Sequence, residues 1–272
     1  MKINFSKYQG TGNDFVMLNN LRGEYSNLTV KQIEILCDRK FGVGADGLIK
    51  INTSDSFAFE MDYYNSDGSK SFCGNGARCS VSFAESLGVD IAKVDFTAID
   101  GKHEASKITT ESGKLISLKM NDVTEINSIN AINADFELNT GSPHYIRFVE
   151  NSLEIDVFEE GRKIRYSQPY NELGINVNFV EVLTEIDTEN HQIEVATYER
   201  GVENETLSCG TGVTAAVLAF AKKYNLMGAN EVLVHTKGGK LTVKFNQISN
   251  DHFENIYLIG PAIHVFEGTI II

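Results

Sequence analysis

Two cysteines sit in the same local frame. Cys73-Gly-Asn-Gly and Cys209-Gly-Thr-Gly share the pattern Cys-Gly-x-Gly, and each opens a stretch that reads as a helix. They are 136 residues apart in a chain of 272, half its length. A thiol at a helix N-terminus faces unpaired backbone N–H groups and the positive end of the helix dipole, which favour the thiolate. The same N–H groups can hold a carboxylate. Two matched thiols, each beside an anion site, suit removal of a proton from one face of a stereocentre and its return to the other. A cysteine hydrolase needs one thiol and leaves the second unexplained. Zinc sites want clustered ligands, commonly Cys-x2-4-Cys, and that spacing does not occur here, nor does the Cys-x-x-Cys of a redox pair. Cys37 and Cys79 lack the frame and read as packing residues inside helices.

Other residues could serve these thiols. Gly10-Thr-Gly-Asn13 is a glycine-flanked turn that could present Asn13 to a ligand, or be only a tight turn. Tyr63-Tyr-Asn65-Ser-Asp-Gly68 leads into Cys73, and Tyr198-Glu199-Arg200-Gly201 leads into Cys209. Arg200 could pair with a substrate carboxylate and Glu199 could accept or relay a proton. Gly141-Ser-Pro-His144 is a turn carrying a histidine. Gly42-Val-Gly-Ala-Asp-Gly47 lacks the Gly-Lys-Ser/Thr of a phosphate loop. The segment after Cys73 lacks the third glycine of a dinucleotide fingerprint.

The elements that must position these groups alternate strand and helix, an α/β pattern. Residues 14–19, 57–64, 114–120, 176–183, 193–200, 232–236, 240–245 and 255–259 read as strands. Residues 29–40, 74–87 and 210–224 read as helices. Thr29 and Gln32 form a capping box, and Gly88 follows the second helix. Ala77, Val81 and Ala84 recur at helical spacing. Ala215-Ala-Val-Leu-Ala-Phe-Ala221 is apolar on every face, so its helix must be buried all round. The repeated frame implies two copies of one domain. A second echo, Gly113-Lys-Leu and Gly239-Lys-Leu, supports the repeat. The linker is placed between Asn121 and Ala134.

Composition narrows the classes of function. With 42% hydrophobic and 22% charged residues the chain is neither disordered nor fibrous. A net charge of −13 disfavours nucleic acid and anionic membrane surfaces as partners. No stretch reaches the roughly 18–20 apolar residues of a membrane span. The start lacks the apolar run of a secretory signal, so the expected location is cytoplasmic.

These motifs together resemble the diaminopimelate epimerase family. The residues that carry the likeness are Gly10-Thr-Gly-Asn-Asp-Phe-Val16, Gly42-Val-Gly-Ala-Asp46, Tyr64-Asn-Ser-Asp-Gly68, Cys73-Gly-Asn-Gly-Ala-Arg-Cys79, Ser142-Pro-His144, Tyr198-Glu-Arg-Gly201 and Cys209-Gly-Thr-Gly212. They keep the family's order and span nearly the whole chain. The resemblance implies two pseudo-symmetric domains, each a strand barrel wrapped around a central helix. The expected bounds are 1–121, completed by 262–272, and 122–261.

The resemblance also implies interconversion of LL- and meso-2,6-diaminopimelate without a cofactor or metal, in lysine and peptidoglycan precursor synthesis, by a homodimer. Cys73 and Cys209 match the acid and base. His144 and Glu199 match residues that tune them. Asn13, Asn65, Gly74, Asn75, Asn176, Glu199, Arg200, Gly210 and Thr211 match substrate-binding positions. Gly47 stands where many members have Gln, and Ser142 where many have Asn. The segment from Asn65 to Cys73 is one residue shorter than common, and that from Glu199 to Cys209 one longer. Racemases of proline, hydroxyproline or histidine are the alternatives, and behind them a thiol hydrolase or a binding protein without catalysis. A coupled thiol pair is expected to give a bell-shaped pH profile.

Overall fold

A computed structural model describes residues 1–111, 113–130, 135–186 and 190–272. In chain order its elements begin with β1 (Lys2–Gly10), β2 (Asn13–Asn19), α1 (Val30–Cys37), β3 (Gly47–Asn52) and β4 (Glu60–Asn65). Then come α2 (Gly74–Ser86), β5 (Val94–Ala98), β6 (Gly101–Thr110), β7 (Gly113–Lys119), β8 (Ile126–Asn130), β9 (Asp135–Asn139) and β10 (Pro143–Val149). The rest are α3 (Val157–Arg165), β11 (Asn176–Val182), β12 (His191–Glu199), β13 (Asn204–Thr206), α4 (Gly210–Tyr224), β14 (Gly228–Thr236), β15 (Gly239–Gln247), β16 (Phe253–Pro261) and β17 (Ile263–Ile271). The chain divides into two compact units: Met1–Leu118 with Gly260–Ile272, and Lys119–Ile259.

In the first unit the strands neighbour one another in the order β17-β1-β2-β3-β4-β5-β6-β7. The successive pairings are antiparallel, antiparallel, parallel, antiparallel, parallel, antiparallel, antiparallel. In the second unit the order is β8-β9-β10-β11-β12-β14-β15-β16, with the same succession of senses, and β13 is an added strand on β12. α1 and α3 occupy matching places in the two orders, and so do α2 and α4. The two units are therefore built to one plan, which sets Cys73 and Cys209 at equivalent helix starts.

That equivalence corrects the second echo. Gly113 opens β7, the eighth strand of its unit, whereas Gly239 opens β15, the seventh. The true counterpart of Gly239-Lys240 is Gly101-Lys102, which opens β6. The linker also differs from expectation, because the stretch 121–134 contains β8. Residues 131–134 of it lie outside the described residues.

The core of each unit forms around one helix. α4 runs over the expected span and is buried from Gly212 to Ala221, as an all-apolar surface requires. α2 packs against β1, β2, β3, β4 and β17 and is equally enclosed from Gly74 to Ala84, although Asn75, Arg78, Ser80 and Ser82 are polar. Their hydrogen bonds are made inside the fold: Ser80 Oγ donates to the Gly76 carbonyl at 2.9 Å and Ser82 Oγ to the Ala262 carbonyl at 3.4 Å. α1 carries the expected capping box but stops at Cys37, three residues early. The Asp38 carboxylate takes the backbone N–H groups of Lys40 and Phe41 at 2.7 Å each, and so turns the chain out of the helix. No helix among the described residues is long and apolar enough to cross a membrane.

Candidate active site

Each unit carries one of the two Cys-Gly-x-Gly frames. In the first unit Cys73 is the N-cap of α2, with extended backbone. Its sulfur accepts the Gly76 N–H at 3.5 Å, and its thiol donates to Asn13 Oδ1 at 3.4 Å. Asn13 is oriented from behind: its Nδ2 donates to Asp46 Oδ2 at 2.6 Å. Asp46 in turn takes Arg39 at 2.7 Å, and Arg39 bridges to Asp14 at 2.7 Å. Burial would raise the Asp14 carboxyl, but Arg39 and Lys7 outweigh it and hold the pKa near 2. The turn that carries Asn13 places Thr11 in the left-handed region at φ 51°. Thr11 Oγ1 receives Arg78 Nη2 at 3.3 Å.

Arg78 is a residue that sequence reading passed over. It is fully buried on α2, and its partners are neutral: Asn75 Oδ1 at 2.9 Å, Thr11 Oγ1 and the Pro261 carbonyl at 3.5 Å. It thereby fixes the amide of Asn75 at the start of the helix. Its place four residues after Gly74, pointing back along the helix, is the signal that would have found it. Asn65, at the end of β4, donates through Nδ2 to Ser69 and Ser71 at 3.0 and 3.2 Å and accepts from Tyr63 at 2.8 Å. Gly47 explains itself here. A Cβ on it would lie 2.5 Å from Tyr63 Cε2 and from the Tyr64 carbonyl, so the Tyr63 ring occupies the space a longer side chain would need.

In the second unit Cys209 is the N-cap of α4 and is 8% exposed. Its sulfur lies 3.5 Å from Thr211 Oγ1. Thr211 Oγ1 lies 3.0 Å from His144 Nε2 and 3.2 Å from Ser142 Oγ. Ser142 Oγ is 2.9 Å from the same ring nitrogen. Asn176 Nδ2 donates to Ser142 Oγ at 3.1 Å and to the Pro143 carbonyl at 3.0 Å, while its Oδ1 accepts the Arg200 N–H at 2.9 Å. Parallel pairing of β10 and β11 sets His144 directly beside Asn176. His144 has no exposed surface. Burial, aided by the positive Arg200, pushes its pKa down to about 3, so it is neutral at physiological pH. The Arg200 side chain is exposed and donates to the Leu173 carbonyl at 3.0 Å, and Glu199 ends β12 half-buried.

The residues expected to serve the thiols thus gather by unit. Asn13, Gly74 and Asn75 lie around the start of α2; His144, Asn176, Gly210 and Thr211 lie around the start of α4. Cys37 and Cys79 are buried, and burial pushes both thiols up to about 12, so they stay protonated at neutral pH. Among the described residues no group of three or more His, Cys, Asp or Glu could hold a metal ion.

The second glycine of each Cys-Gly-x-Gly frame is under different constraint. A Cβ on Gly76 would meet Ile49 Cδ1 at 3.1 Å and Met61 Cε at 3.3 Å, the movable ends of long side chains. A Cβ on Gly212 would lie 2.4 Å from Asn178 Oδ1 and 3.3 Å from His144 Cε1. Asn178 is held by three hydrogen bonds and cannot retreat. Gly212→Ala is therefore expected to cost about 1–3 kcal/mol in urea unfolding, and Gly76→Ala clearly less. Equal costs would show that Asn178 can yield.

The family model for diaminopimelate epimerase matches residues 5–125 and 136–265. The diaminopimelate epimerase of Flavobacterium psychrophilum is 49% identical over 97% of this chain and 98% of its own. That of Chlorobaculum tepidum is 40% identical over 96% of this chain and 98% of its own. Among solved structures, a PhzF-family phenazine biosynthesis protein from Bacillus anthracis superposes with a TM-score of 0.78 at 14% identity, covering 100% of both chains. A hydroxyproline epimerase from Agrobacterium vitis superposes with a TM-score of 0.66 at 11% identity, covering 99% of this chain and 92% of its own. At such identities the two structures speak for the fold alone, a mixed α/β architecture shared with them. With a family model matched over nearly its whole length and relatives at up to 49% identity, the chain belongs to the diaminopimelate epimerase family.

Proposed function

We propose that this protein is an isomerase that interconverts LL- and meso-2,6-diaminopimelate, using Cys73 and Cys209 as its two bases. The step would feed lysine and peptidoglycan precursor synthesis. One observation carries the mechanism: each of two units built to the same strand plan caps its buried central helix with a cysteine. Inversion requires that one α-carbon meet a base on one face and an acid on the other.

The difficulty is acidity. A thiol titrates near 8.5 unperturbed, whereas an amino-acid α-proton is far less acidic. In the forward direction the Cys209 thiolate takes the α-proton and becomes a thiol. The C–H electron pair passes into the carboxylate as an enediolate. The Cys73 thiol then delivers its proton to the opposite face, the pair returns to carbon, and Cys73 is left as thiolate. Backbone N–H groups at the starts of α2 and α4 are suited to hold the developing charge.

The surroundings support Cys209 as the resting thiolate and Cys73 as the resting thiol. Cys73 points its proton at the amide oxygen of Asn13, whose orientation Asp46 fixes. Cys209 faces a hydroxyl that rests against the imidazole of His144.

The test is incubation with LL-diaminopimelate in D2O under reducing conditions, with α-proton loss followed by NMR and isomers resolved by chiral chromatography. Deuterium is expected at one α-position as meso product forms. No exchange with the thiols shown reduced would reject this substrate, and proline, hydroxyproline and histidine would be assayed next.

A further inference from the structure

The Asn178 side chain has no part in the residues expected to bind substrate, yet it is fully buried behind His144. Its orientation can be read from its partners. Nδ2 lies 3.1 Å from the Tyr145 carbonyl, which can only accept. Oδ1 accepts the Thr197 hydroxyl at 2.8 Å. The amide is therefore not free to flip, and the second hydrogen of Nδ2 points at His144 Nδ1, 3.1 Å away.

We propose that Asn178 is a positioning residue for catalysis: it fixes His144 as the Nε2–H tautomer, and so makes the network at the start of α4 donate toward the Cys209 sulfur. The proposal rests on the reading of Cys209 as resting base. The direction follows by counting. A neutral imidazole that accepts at Nδ1 carries its proton on Nε2. Nε2–H then donates to the Ser142 and Thr211 hydroxyls. Ser142 Oγ already accepts from Asn176 Nδ2, so with the imidazole proton its lone pairs are filled and its own proton goes to Thr211 Oγ1. The Thr211 hydroxyl is left to donate to the Cys209 sulfur. A sulfur that receives a hydroxyl proton is favoured as thiolate. With the other tautomer Nε2 would accept, and the hydroxyls would turn toward it and away from sulfur.

Arg200, from the end of β12, acts on His144 and disfavours imidazolium, and Glu199 precedes it on the same strand. Beside these and the Cys209 thiolate beyond Thr211, the described hydrogen-bond partners of the ring are neutral: Ser142, Asn178 and Thr211, with Asn176 behind Ser142. A neutral ring held in one tautomer fits that setting. The signal in sequence was the frame Asn176-Val-Asn178, whose alternation puts both amides on one face of β11.

The experiment uses full-length protein labelled with 15N-histidine, His144 being assigned by His144→Gln. Wild type at pH 7.5 is expected to show the Nε2–H pattern, with Nδ1 unprotonated. A Nδ1–H pattern overturns the proposal whatever the protein's activity. Alkylation of Cys209 by iodoacetamide, followed against pH in a Cys73→Ser background, then reads the thiolate directly. Asn178→Ala is expected to mix the tautomers and move the midpoint of alkylation up by about one pH unit, tenfold less thiolate at pH 7. An unmoved midpoint, or a uniform loss of reactivity at every pH, gives Asn178 a structural role only. Asn178→Asp serves if the alanine variant fails to fold. Its carboxylate is expected to draw the proton to Nδ1 and shift alkylation the same way. Neither readout requires turnover, so a failure with diaminopimelate would condemn the assigned reaction and leave the tautomer result standing.

Discussion

Cys73→Ala protein is expected to lose inversion while keeping α-proton exchange for one stereoisomer. The Cys209 thiolate remains, so it can still take the proton of the isomer whose α-hydrogen faces it. Without the Cys73 thiol nothing protonates the opposite face, and the carbanion is quenched from the side it came from. Deuterium then enters that isomer with its configuration retained. Cys209→Ala is the mirror case: exchange moves to the other isomer and appears only as rising pH ionises Cys73. In both variants epimerisation should fall by about 10²–10⁴-fold, the range that a positioned acid or base supplies. That is about 3–5 kcal/mol of barrier. Chiral chromatography and NMR of product formed in D2O separate exchange from inversion. If either variant inverts at close to the wild-type rate, the two-thiol mechanism is wrong.

Acidification from pH 7 to 5 is expected to weaken the fold through His144. In the unfolded chain this ring titrates near 6.5, and in the fold burial and Arg200 hold it to about 3. Between those values the unfolded state binds a proton that the folded state does not. Its contribution to stability is fully present above pH 6.5 and is lost as pH falls toward 3, by about 1.4 kcal/mol per unit. Asp14 behaves differently, because its folded value near 2 lies below the ordinary carboxyl range. Its contribution is intact at pH 5 and is lost only as pH falls through that lower window. Urea unfolding at pH 7 and pH 5 should therefore show wild type losing about 2 kcal/mol more than His144→Gln. Parallel losses in the two proteins would place the titrating group elsewhere. The same neutrality removes His144 as the origin of an acid limb in the pH–rate profile, which is left to the thiols.

What the sequence disclosed followed from local rules. The span of α4 is legible because seven consecutive apolar residues admit no exposed face. The capping box of α1 is legible for the same reason. α2 is harder. Its burial on every side is masked by Arg78, Ser80 and Ser82: Arg78 and Ser82 find partners elsewhere in the unit, among them the Pro261 and Ala262 carbonyls, and Ser80 turns back on the Gly76 carbonyl of its own helix. The end of α1 depends on Asp38 turning back on its own backbone. The Gly113 echo misled because a Gly-Lys turn opens many hairpin strands, and only strand order tells β7 from β6. At the site, residue types marked the thiols and their neighbours, but the direction of the hydrogen bonds did not follow from them. That direction needs the Tyr145 carbonyl and the Thr197 hydroxyl on either side of Asn178.

The pairing of β1 with β17 has a consequence for biosynthesis. Lys2 faces Ile271 across that ladder, so β1 waits until β17 has been made. At ribosomal speeds the wait is on the order of tens of seconds. Throughout it, β1 offers Ile3 and Phe5 on an open edge, a template for wrong pairing. The second unit, by contrast, is one continuous run and can complete itself while the first is still unfinished. Nascent chains should therefore engage chaperones through β1, and the surroundings of Cys209 should mature before those of Cys73.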